Sequence, residues 1–512
     1  MSASPVTIPQ LLGAAAEAYG DRTAYVQDGR RMTFSELHAT VRGVARGLVA
    51  HGLAARDRVV IWGPNSIDWV VAALAVTYAG GVLVPANSRY TGAEVADLVQ
   101  RTGTPIALVE DGFLGRNQVR ELETAGELAC LQEIIQLGDL AHVTRTGEQV
   151  TEGDLDARAA AVTADDVADI LFTSGTTGRS KGAMSAHRQS IGVARAWAEL
   201  GGVRPDDRYL VVNPFFHSFG YKIGILVGLL TGCTLYPVAT FDLDVTLQLI
   251  EDEQISVLPG APTIYQSILS APSRGEHDLS SLRLAVTGAA VVPVVLIERM
   301  RAPAPEGLGI DQVVTAFGMT EAVVVTMCRD GDSAQTVATT CGRAIPGMET
   351  RIDSPSDDGT GELLVRGDHV MLGYLDDPGA TAEAIDEEGW LHTGDVGLLD
   401  ADGNLRITDR LKDMYISGGF NVYPAEVEQA LLHMDGIADV AVVGVADERM
   451  GEVGMAYVVA APGHAVEPEA VAAFARERLA NFKVPRHVAL TDALPRNLSG
   501  KVLKTDLRKA TD

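Results

Sequence analysis

The sequence predicts an α/β fold, in which a large N-terminal domain of helix-covered parallel sheets with a small β-rich section precedes a small α+β C-terminal domain. Through the first part of the chain, amphipathic helical patterns alternate with short apolar runs, which is typical of parallel sheets covered by helices. Near residue 390 this alternation ends, and the pattern becomes that of strands bounded by Asp and Gly turns. After Asp413, a compact α+β pattern of about a hundred residues is typical of a separate domain.

The first clear helix begins near residue 34. The segment 33–36 (TFSE) has the form of a capping box, and Gly52 is a suitable stop. Apolar residues then recur at the helical period, at Phe34, Leu37, Val41, Val44 and Leu48.

A βαβ unit follows. It consists of a strand at 58–62, a helix ending near Tyr78 and a strand at 82–84. The stretch 69–86 carries no charged residue, but Gly80, Gly81 and Pro85 interrupt it, so we interpret it as a buried helix and strand rather than a membrane span. Further strands are predicted at 107–109, 168–172, 209–212 and 284–286.

The β-rich section contains predicted strands at 361–366 and 405–408. The C-terminal pattern predicts a helix opening at Pro424, an allowed first-turn position for proline. Strands at 440–443 and 456–459 and a helix over 470–479 follow. We therefore divide the chain into domains 1–411 and 412–512.

Composition limits the function. The net charge is −27 and no basic run is present, which disfavours nucleic acid and anionic membranes as partners. A polyanionic ligand would then need local positive groups or a metal ion. The four cysteines show no disulfide-like or zinc-like spacing, and no signal-peptide pattern opens the chain, so a cytoplasmic protein with reduced thiols is expected.

The most informative segment is 173–182 (TSGTTGRSKG), which follows an apolar strand and is expected to precede a helix. Small residues let backbone N–H groups converge on phosphate oxygens, hydroxyls add donors, and Arg179 and Lys181 supply positive charge. The spacing is not that of a Walker loop. The alternative interpretation is an ordinary Gly/Ser/Thr surface loop.

This segment resembles the phosphate loop of the adenylate-forming superfamily, which includes acyl-CoA synthetases, peptide-synthetase adenylation domains and beetle luciferases. Further motifs of that family are present in the same order. They are 317–321 (FGMTE), 390–395 (WLHTGD), 409–413 (DRLKD) with 417–421 (SGGFN) and 424–428 (PAEVE), and 495–501 (PRNLSGK). The resemblance spans nearly the whole chain.

The resemblance implies an acid–thiol ligase. Such an enzyme activates a carboxylic acid with ATP as its adenylate, releases pyrophosphate and passes the acyl group to coenzyme A, with Mg²⁺ as cofactor. Because two anions meet at the α-phosphate, charge must be neutralised there. By resemblance, Lys501 is that cation, Glu321 helps to hold Mg²⁺, and Thr320 and Thr176 touch phosphate oxygens.

The remaining nucleotide contacts are also implied by resemblance. Asp395 accepts hydrogen bonds from the ribose hydroxyls with help from Arg410, and Phe317 stacks on adenine. The nucleotide-binding set comprises Thr173, Ser174, Gly175, Thr177, Gly178, Lys181, Gly288, Ala289, Ala290, Phe317, Gly318, Thr320, Asp395 and Arg410.

The family runs its two steps by rotating a mobile C-terminal domain about a hinge residue, which corresponds to Lys412. In the first orientation Lys501 enters the site. In the second, Gly418 and Gly419 approach the adenylate and a tunnel opens for the CoA thiol. Glycine suits this role because a backbone without Cβ can lie close to a ligand.

His217 lies in an aromatic-rich segment, 213–220 (NPFFHSFG), and the resemblance places it beside the acyl carboxylate and the thiol tunnel. A packed core histidine is the alternative. The acid pocket is expected to be walled by Phe215, Phe219, Tyr221, Pro262 and Tyr265.

Taken singly, some of the predicted site residues also have interpretations that involve no function. A lone Lys near a C-terminus is usually solvated, and Asp395 could merely form a turn. Glu321 is harder to explain in this way, because an apolar run follows it and a bare charge entering a core is costly.

The residues of three segments, 341–343, 213–221 and 413–424, resemble those of particular actinobacterial members of the family. These members activate the bicyclic indanedione propionate left by steroid degradation. A bulky alicyclic acid, derived from a steroid or terpenoid, is therefore the expected substrate. The alternatives are a medium- or long-chain fatty acid, an enzyme specialised for one half-reaction, a binding protein that retains the adenylate, and an adenylation enzyme that loads a carrier protein. The oligomeric state stays open, with a homodimer as one option.

Overall fold

The structure is a computed structural model that describes residues 5–174, 180–288, 292, 294–355, 359–410, 415–422, 424–495, 502 and 504–509. For Ser174 and Arg410 it describes the backbone only. The α-helices are α1 Ile8–Tyr19, α2 Phe34–Ala50, α3 Ile67–Tyr78, α4 Gly92–Thr102, α5 Gln118–Glu123, α6 Leu140–Thr146, α7 Glu152–Ala161, α8 His187–Leu200, α9 Val227–Thr231, α10 Leu243–Asp252, α11 Pro262–Ser270, α12 Val294–Arg301, α13 Ala334–Thr339, α14 Pro378–Ala384, α15 Pro424–Leu432, α16 Pro468–Arg476 and α17 Lys504–Lys509. A π-helix spans Phe219–Leu226.

The strands alternate with these helices in the first part of the chain and dominate later. They are β1 Thr23–Gln27, β2 Arg30–Thr33, β3 Arg58–Trp62, β4 Val82–Ala86, β5 Ile106–Val109, β6 Glu133–Gln136, β7 Val167–Ser174, β8 Ser180–Ala186, β9 Arg208–Val211, β10 Thr234–Pro237, β11 Leu284–Gly288, β12 Gln312–Met319, β13 Ala322–Met327, β14 Arg343–Ala344, β15 Met348–Asp353, β16 Gly361–Gly367, β17 Gly373–Tyr374, β18 Leu391–Leu399, β19 Leu405–Arg410, β20 Tyr415–Ser417, β21 Phe420–Val422, β22 Ile437–Asp447, β23 Gly451–Ala460 and β24 His487–Leu490.

The largest sheet has seven strands in the order β17-β8-β7-β4-β3-β5-β6. Strands β7, β4, β3, β5 and β6 run parallel to their neighbours in this series, and α3 and β4 are buried almost throughout. The predicted α/β fold is confirmed, and so is the interpretation of 69–86 as a buried helix and strand. Among the described residues, no helix is long and apolar enough to cross a membrane.

Three further sheets belong to the larger part of the chain. Two have the orders β2-β1-β10-β9 and β11-β12-β13-β14, and the third, β15-β16-β18-β19, is antiparallel and forms the predicted β-rich section. The last sheet, β21-β20-β23-β22 with β24 beside β23, takes all its strands from residue 415 onward. The boundary at 411/412 stays a prediction.

Local sequence accounts for the start of α2. The Thr33 hydroxyl accepts from the Glu36 N–H at 3.1 Å, and the Glu36 carboxylate accepts from the Thr33 N–H at 2.8 Å. These reciprocal bonds satisfy donors that a helix N-terminus leaves open. The predicted capping box is therefore confirmed.

The expectation of a helix directly after segment 173–182 is wrong. That segment lies in a β-hairpin, since β7 pairs antiparallel with β8, and β8 pairs antiparallel with β17 on its other side. Small residues permit this packing: a Cβ at Gly182 would lie 2.9 Å from the Ile170 side chain. The helix α8 begins only at His187, and the sheet is mixed rather than wholly parallel.

His187 couples stability to pH. Its side chain is 2% exposed, and its Nδ1 accepts the Ile8 N–H at 3.2 Å. Burial lowers the pKa of His187 to about 4, although the charge of Asp166 opposes the shift. The unfolded chain therefore binds more protons than the folded chain between pH 6.5 and pH 4, and stability falls as the pH falls through this window.

We predict that His187→Asn, which keeps an acceptor near the Nδ1 position, removes this acid sensitivity. The shift from 6.5 to about 4 corresponds to about 3 kcal/mol of unfolding free energy, fully present at pH 7 and lost towards pH 4. Urea unfolding at pH 7 and pH 4.5 should show a smaller loss in the variant than in the unchanged protein. The exposed His464→Asn is the control, and equal losses in both variants would contradict the prediction.

Candidate active site

The predicted phosphate segment lies at the end of the β7–β8 hairpin. Thr173 pairs with Lys181 and Ser174 with Ser180 across the two strands, so the connection at 175–179 starts and ends at adjacent points. Gly175, Thr176, Thr177 and Gly178 lie in that connection, outside the described residues. Thr173 and Lys181 are both partly exposed at its base.

Tyr374 joins this hairpin to Glu321. The Lys181 Nζ lies 4.9 Å from the centroid of the Tyr374 ring, and the Tyr374 hydroxyl donates to the Glu321 Oε1 at 2.8 Å. Tyr374 is in β17, directly beside β8, where it pairs with Ala183. The structure thus brings together two predicted residues that are far apart in sequence, through a tyrosine that the sequence analysis did not select.

Glu321, the predicted Mg²⁺ ligand, lies in a turn close to the phosphate segment. Together with Thr320 it forms the turn between β12 and β13, and it is 8% exposed. Magnesium sites in phosphate-transfer enzymes use one or two carboxylates and are completed by substrate phosphates and water. The described residues contain no group of three or more His, Cys, Asp or Glu that could hold a metal ion. The single Glu321 carboxylate matches the small number of protein ligands that such magnesium sites use.

The predicted adenine side lies on β11 and β12. Gly288 ends β11 and pairs with Ala316, which places it next to Phe317 on the neighbouring strand. Phe317 is partly buried against the main core. Gly318 cannot be replaced without movement, because a Cβ there would meet the Val323 carbonyl oxygen at 1.9 Å. Ala289 and Ala290 lie outside the described residues.

Asp395 and Arg410 face each other as a register pair of the antiparallel strands β18 and β19. The Asp395 N–H donates to the Thr393 hydroxyl at 3.1 Å, which fixes the backbone at the predicted ribose contact. Asp395 is therefore a strand residue rather than a simple turn residue.

His217 lies two residues before the π-helix, and it is an exposed residue. The Phe219 N–H donates to its Nδ1 at 3.2 Å, which indicates that the proton of the neutral ring is on Nε2. The protein around the ring disfavours imidazolium, and this desolvation lowers the pKa of His217 to about 4. Near pH 7, His217 is therefore a neutral group that offers one N–H donor.

The residues proposed for the acid pocket differ in exposure. Phe215, Tyr221, Pro262 and Tyr265 are buried, and Phe219 is partly exposed. Phe215 packs on Trp69 with ring centroids 5.3 Å apart, and the Tyr265 hydroxyl donates to the Leu258 carbonyl. Of the five, Phe219 is the one whose side chain is open to solvent, and its ring packs edge-on against Trp197 with centroids 6.2 Å apart.

A buried ion pair that the sequence analysis missed holds the π-helix. The Lys222 Nζ lies 3.0 Å from the Asp169 Oδ1 and donates to the Ser185 hydroxyl at 2.8 Å. The Ser190 hydroxyl donates to the Asp169 Oδ2 at 2.8 Å. The pair connects the strands of the phosphate segment to the helix that follows His217. A Lys inside an apolar run was the signal, because such a charge needs a buried partner.

Gly418 and Gly419 form the two-residue turn between β20 and β21, with φ of 57° and 84°. Positive φ at both central residues defines a hairpin turn that glycine adopts without strain. The next residue, Phe420, stacks on Phe216 with ring centroids 6.4 Å apart. This contact brings the exposed turn next to the segment that carries His217.

Two predicted residues, the hinge Lys412 and the cation Lys501, lie outside the described residues. For Arg410, the described backbone places the residue opposite Asp395. The roles of all the predicted site residues remain predictions.

Comparison with known proteins settles the family. A family model described as "AMP-binding enzyme" matches residues 12–375, and one described as "AMP-binding enzyme C-terminal domain" matches residues 426–501. The chain belongs to the AMP-binding enzyme family. The order of motifs that suggested the resemblance is thus confirmed at the level of family.

One relative is the 3-[(3aS,4S,7aS)-7a-methyl-1,5-dioxo-octahydro-1H-inden-4-yl]propanoyl:CoA ligase of Rhodococcus jostii (strain RHA1), which is 54% identical over 521 residues that cover 99% of each chain. Among solved structures, o-succinylbenzoate CoA synthetase (MenE) from Bacillus subtilis bound with a product analogue has a TM-score of 0.85 at 27% identity, covering 98% of both chains. ATP-bound MatB from Rhodopseudomonas palustris has a TM-score of 0.67 at 29% identity, also covering 98% of both chains. The AMP-binding enzyme described here is an acyl-CoA synthetase that uses ATP, CoA and Mg²⁺.

We predict that Lys222→Met destabilises this acyl-CoA synthetase strongly, by about 3–5 kcal/mol, because it leaves the Asp169 carboxylate buried without its cation. The double variant Lys222→Met/Asp169→Asn should recover most of that loss, since it removes both charges. Thermal unfolding measures both effects.

The matched control is Arg188→Met, which breaks the exposed pair with Asp165 and should cost less than about 1 kcal/mol. A Lys222→Met variant that unfolds at the same temperature as this control would show that the buried pair contributes nothing.

Proposed function

We propose that this acyl-CoA synthetase activates a bulky alicyclic carboxylic acid, derived from a steroid or terpenoid, as an acyl adenylate and then forms its CoA thioester. In the first half-reaction, the carboxylate oxygen bonds to the α-phosphorus of ATP and pyrophosphate leaves. In the second, the CoA sulfur bonds to the acyl carbon and AMP leaves. The observation that carries the proposal is the contact of Phe420 with Phe216, which places the Gly418–Gly419 turn beside the His217 segment.

For the first half-reaction, Glu321 would hold Mg²⁺, which when bound neutralises negative charge on the phosphates. Lys181 at the base of the phosphate segment and Thr320 beside Glu321 would contact phosphate oxygens. Tyr374 orients the Glu321 carboxylate, since its hydroxyl donates to one oxygen of that group. Lys501 would enter this side of the site in a different orientation of the C-terminal domain.

For the nucleoside, Phe317 would stack on adenine and Gly288 would let the base approach the strand ends. Asp395 would accept from the ribose hydroxyls, with Arg410 on the adjacent strand assisting. This arrangement leaves the α-phosphate between the phosphate segment and the His217 segment.

For the second half-reaction, the orientation described here is the productive one. The Phe216–Phe420 contact holds the glycine turn near the acyl side, as thioester formation requires. The TM-scores support this assignment: 0.85 with the structure that holds a CoA-product analogue and 0.67 with the ATP-bound one. The Nε2–H of neutral His217 would donate to the acyl oxygen and position it for attack by sulfur.

The acid is proposed from two observations. The relative from Rhodococcus jostii, which is 54% identical, carries a name that specifies a methyl-dioxo-octahydroindenyl propanoyl group. The residues in segments 213–221 and 413–424 resemble those of ligases for the same kind of acid.

We propose that the chain is divided into domains 1–411 and 412–512, with Lys412 as the hinge. We also propose a cytoplasmic location and a homodimer. Size-exclusion chromatography with light scattering tests the homodimer.

We predict that Lys501→Ala lowers adenylate formation by about a thousandfold, because the variant loses the cation between carboxylate and phosphate. Thioester formation from supplied acyl adenylate should stay within about threefold of the unchanged enzyme, since Lys501 is expected to lie away from the site in that step. Pyrophosphate release and thioester formation are measured separately.

Lys501→Arg, which keeps the positive charge, should retain part of the adenylation rate and serves as the matched control. Equal losses of both half-reactions in Lys501→Ala would refute the division of labour between the two orientations.

We predict that a bicyclic alicyclic propionate has a kcat/KM at least about tenfold above that of straight-chain fatty acids of similar carbon number, because pocket shape discriminates by differences in apolar contact. A panel of acids, each assayed for pyrophosphate release and for thioester formation, measures this.

A preference for octanoate or palmitate would favour the fatty-acid alternative. Rapid pyrophosphate release without CoA turnover, with transfer to a pantetheinylated carrier protein, would instead favour a carrier-loading enzyme.

A further inference from the structure

One cation outside the predicted site is almost fully buried where the two parts of the chain meet. Lys483, which follows α16, is 3% exposed. Its Nζ lies 3.0 Å from the Glu94 Oε1 on α4 and 2.6 Å from the Glu426 Oε1 on α15. Glu94 belongs to the larger part of the chain and Glu426 to the C-terminal part, so one ammonium group bridges the two.

Both carboxylates are held in place by their own helices. The Glu94 Oε2 accepts from the Thr91 N–H at 2.8 Å, which completes the capping box of α4 and leaves Oε1 for Lys483. Glu426 lies in the first turn of α15, where the helix dipole favours a negative charge. Each carboxylate is therefore fixed relative to its own helix. By binding both carboxylates, Lys483 fixes the position of α15 relative to α4.

The surroundings keep Lys483 charged. Its Nζ lies 4.2 Å from the centroid of the Tyr90 ring, a cation–π distance. Burial acts against the charge, but Tyr90, Glu94 and Glu426 outweigh it and raise the pKa of Lys483. Burial raises the pKa of the Glu426 carboxyl, and the nearby Lys483 ammonium group acts against that shift.

A chain of rings links this bridge to the glycine turn. Phe482, adjacent to Lys483, stacks on Phe420 with ring centroids 4.6 Å apart, and Phe420 in turn stacks on Phe216. The Arg89 guanidinium lies 5.5 Å from the centroid of the Phe420 ring. Displacing Lys483 from Glu94 therefore loosens the contact that places Gly418 and Gly419 beside His217.

The bridge is specific to this orientation of the C-terminal part. If that part rotates, Lys483 and Glu426 move together while Glu94 stays with α4. The ammonium group must then leave Glu94, and the carboxylate must be rehydrated.

We propose that Lys483 is a positioning residue for thioester formation, which holds the Gly418–Gly419 turn against the His217 segment by bridging Glu94 and Glu426. This inference rests on the proposed function with its two orientations. It assigns to the bridge a role in the second half-reaction and none in the first.

Glu94→Gln is the most direct test. Glutamine also completes a capping box, so α4 keeps its N-terminus, and the C-terminal part is unchanged. The rate of thioester formation from supplied acyl adenylate and CoA should fall about tenfold, whereas single-turnover pyrophosphate release with ATP and acid should stay within about twofold. The KM for ATP should not change.

Lys483→Met should give a larger fall in the same step, and Lys483→Arg should restore much of it. The double variant Glu94→Gln/Lys483→Met should lose no more than Lys483→Met alone, because both changes break one contact. Glu469→Gln makes the same substitution at an exposed position in the first turn of α16, so both half-reactions should stay unchanged.

The outcomes separate this proposal from the proposed function. If the unchanged enzyme forms no adenylate or no thioester, the proposed function fails. If both half-reactions run and Lys501→Ala separates them, while Glu94→Gln leaves thioester formation unaffected or lowers both steps equally, the role of Lys483 is wrong.

Discussion

The arrangement of the candidate site depends on one buried ion pair. Asp169 and Lys222 are both almost fully buried, and removing two such charges from water costs free energy that only a well-placed partner can offset. The pair lies between the strand that leads into the phosphate segment and the π-helix that follows His217. Any shift of the helix along the sheet would separate the charges in a region of low dielectric. The distance between the strand β7 and the π-helix that follows His217 is therefore set within the core.

A second constraint acts across the two parts of the chain. Among the described residues, Phe420 and Lys483 of the C-terminal part contact the larger part. Phe420 meets Phe216 and Arg89, and Lys483 meets Glu94 and Tyr90. Interfaces between domains commonly allow relative motion, whereas a continuous hydrophobic core does not. In the proposed two-step reaction, the core would fix the nucleotide side, and this interface would determine which group of the C-terminal part faces it.

Sequence reasoning succeeded where the signal was local. The capping box at Thr33 and Glu36, the strand Arg58–Trp62 and the buried stretch containing α3 and β4 all follow from spacing and polarity within short windows. It failed for β8, because small residues such as Gly182 and Ala183 carry no clear period and their strand character comes from pairing with β7 and β17. Tyr374, Lys222 and Lys483 were missed for a related reason. Their importance lies in partners distant in sequence, Glu321, Asp169 and Glu94, which no local pattern reveals.

The net charge of −27 poses a difficulty for an enzyme of ATP and CoA, both of which are polyanions. The structure answers it with few, well-placed cations. Lys181 lies over the Tyr374 ring and Arg89 over the Phe420 ring, so each is held by an aromatic face. An aromatic face orients a cation without neutralising it, whereas a carboxylate would cancel its charge. Lys483 differs from them because it contacts two carboxylates as well as the Tyr90 ring, which suits a residue that joins two parts of the protein.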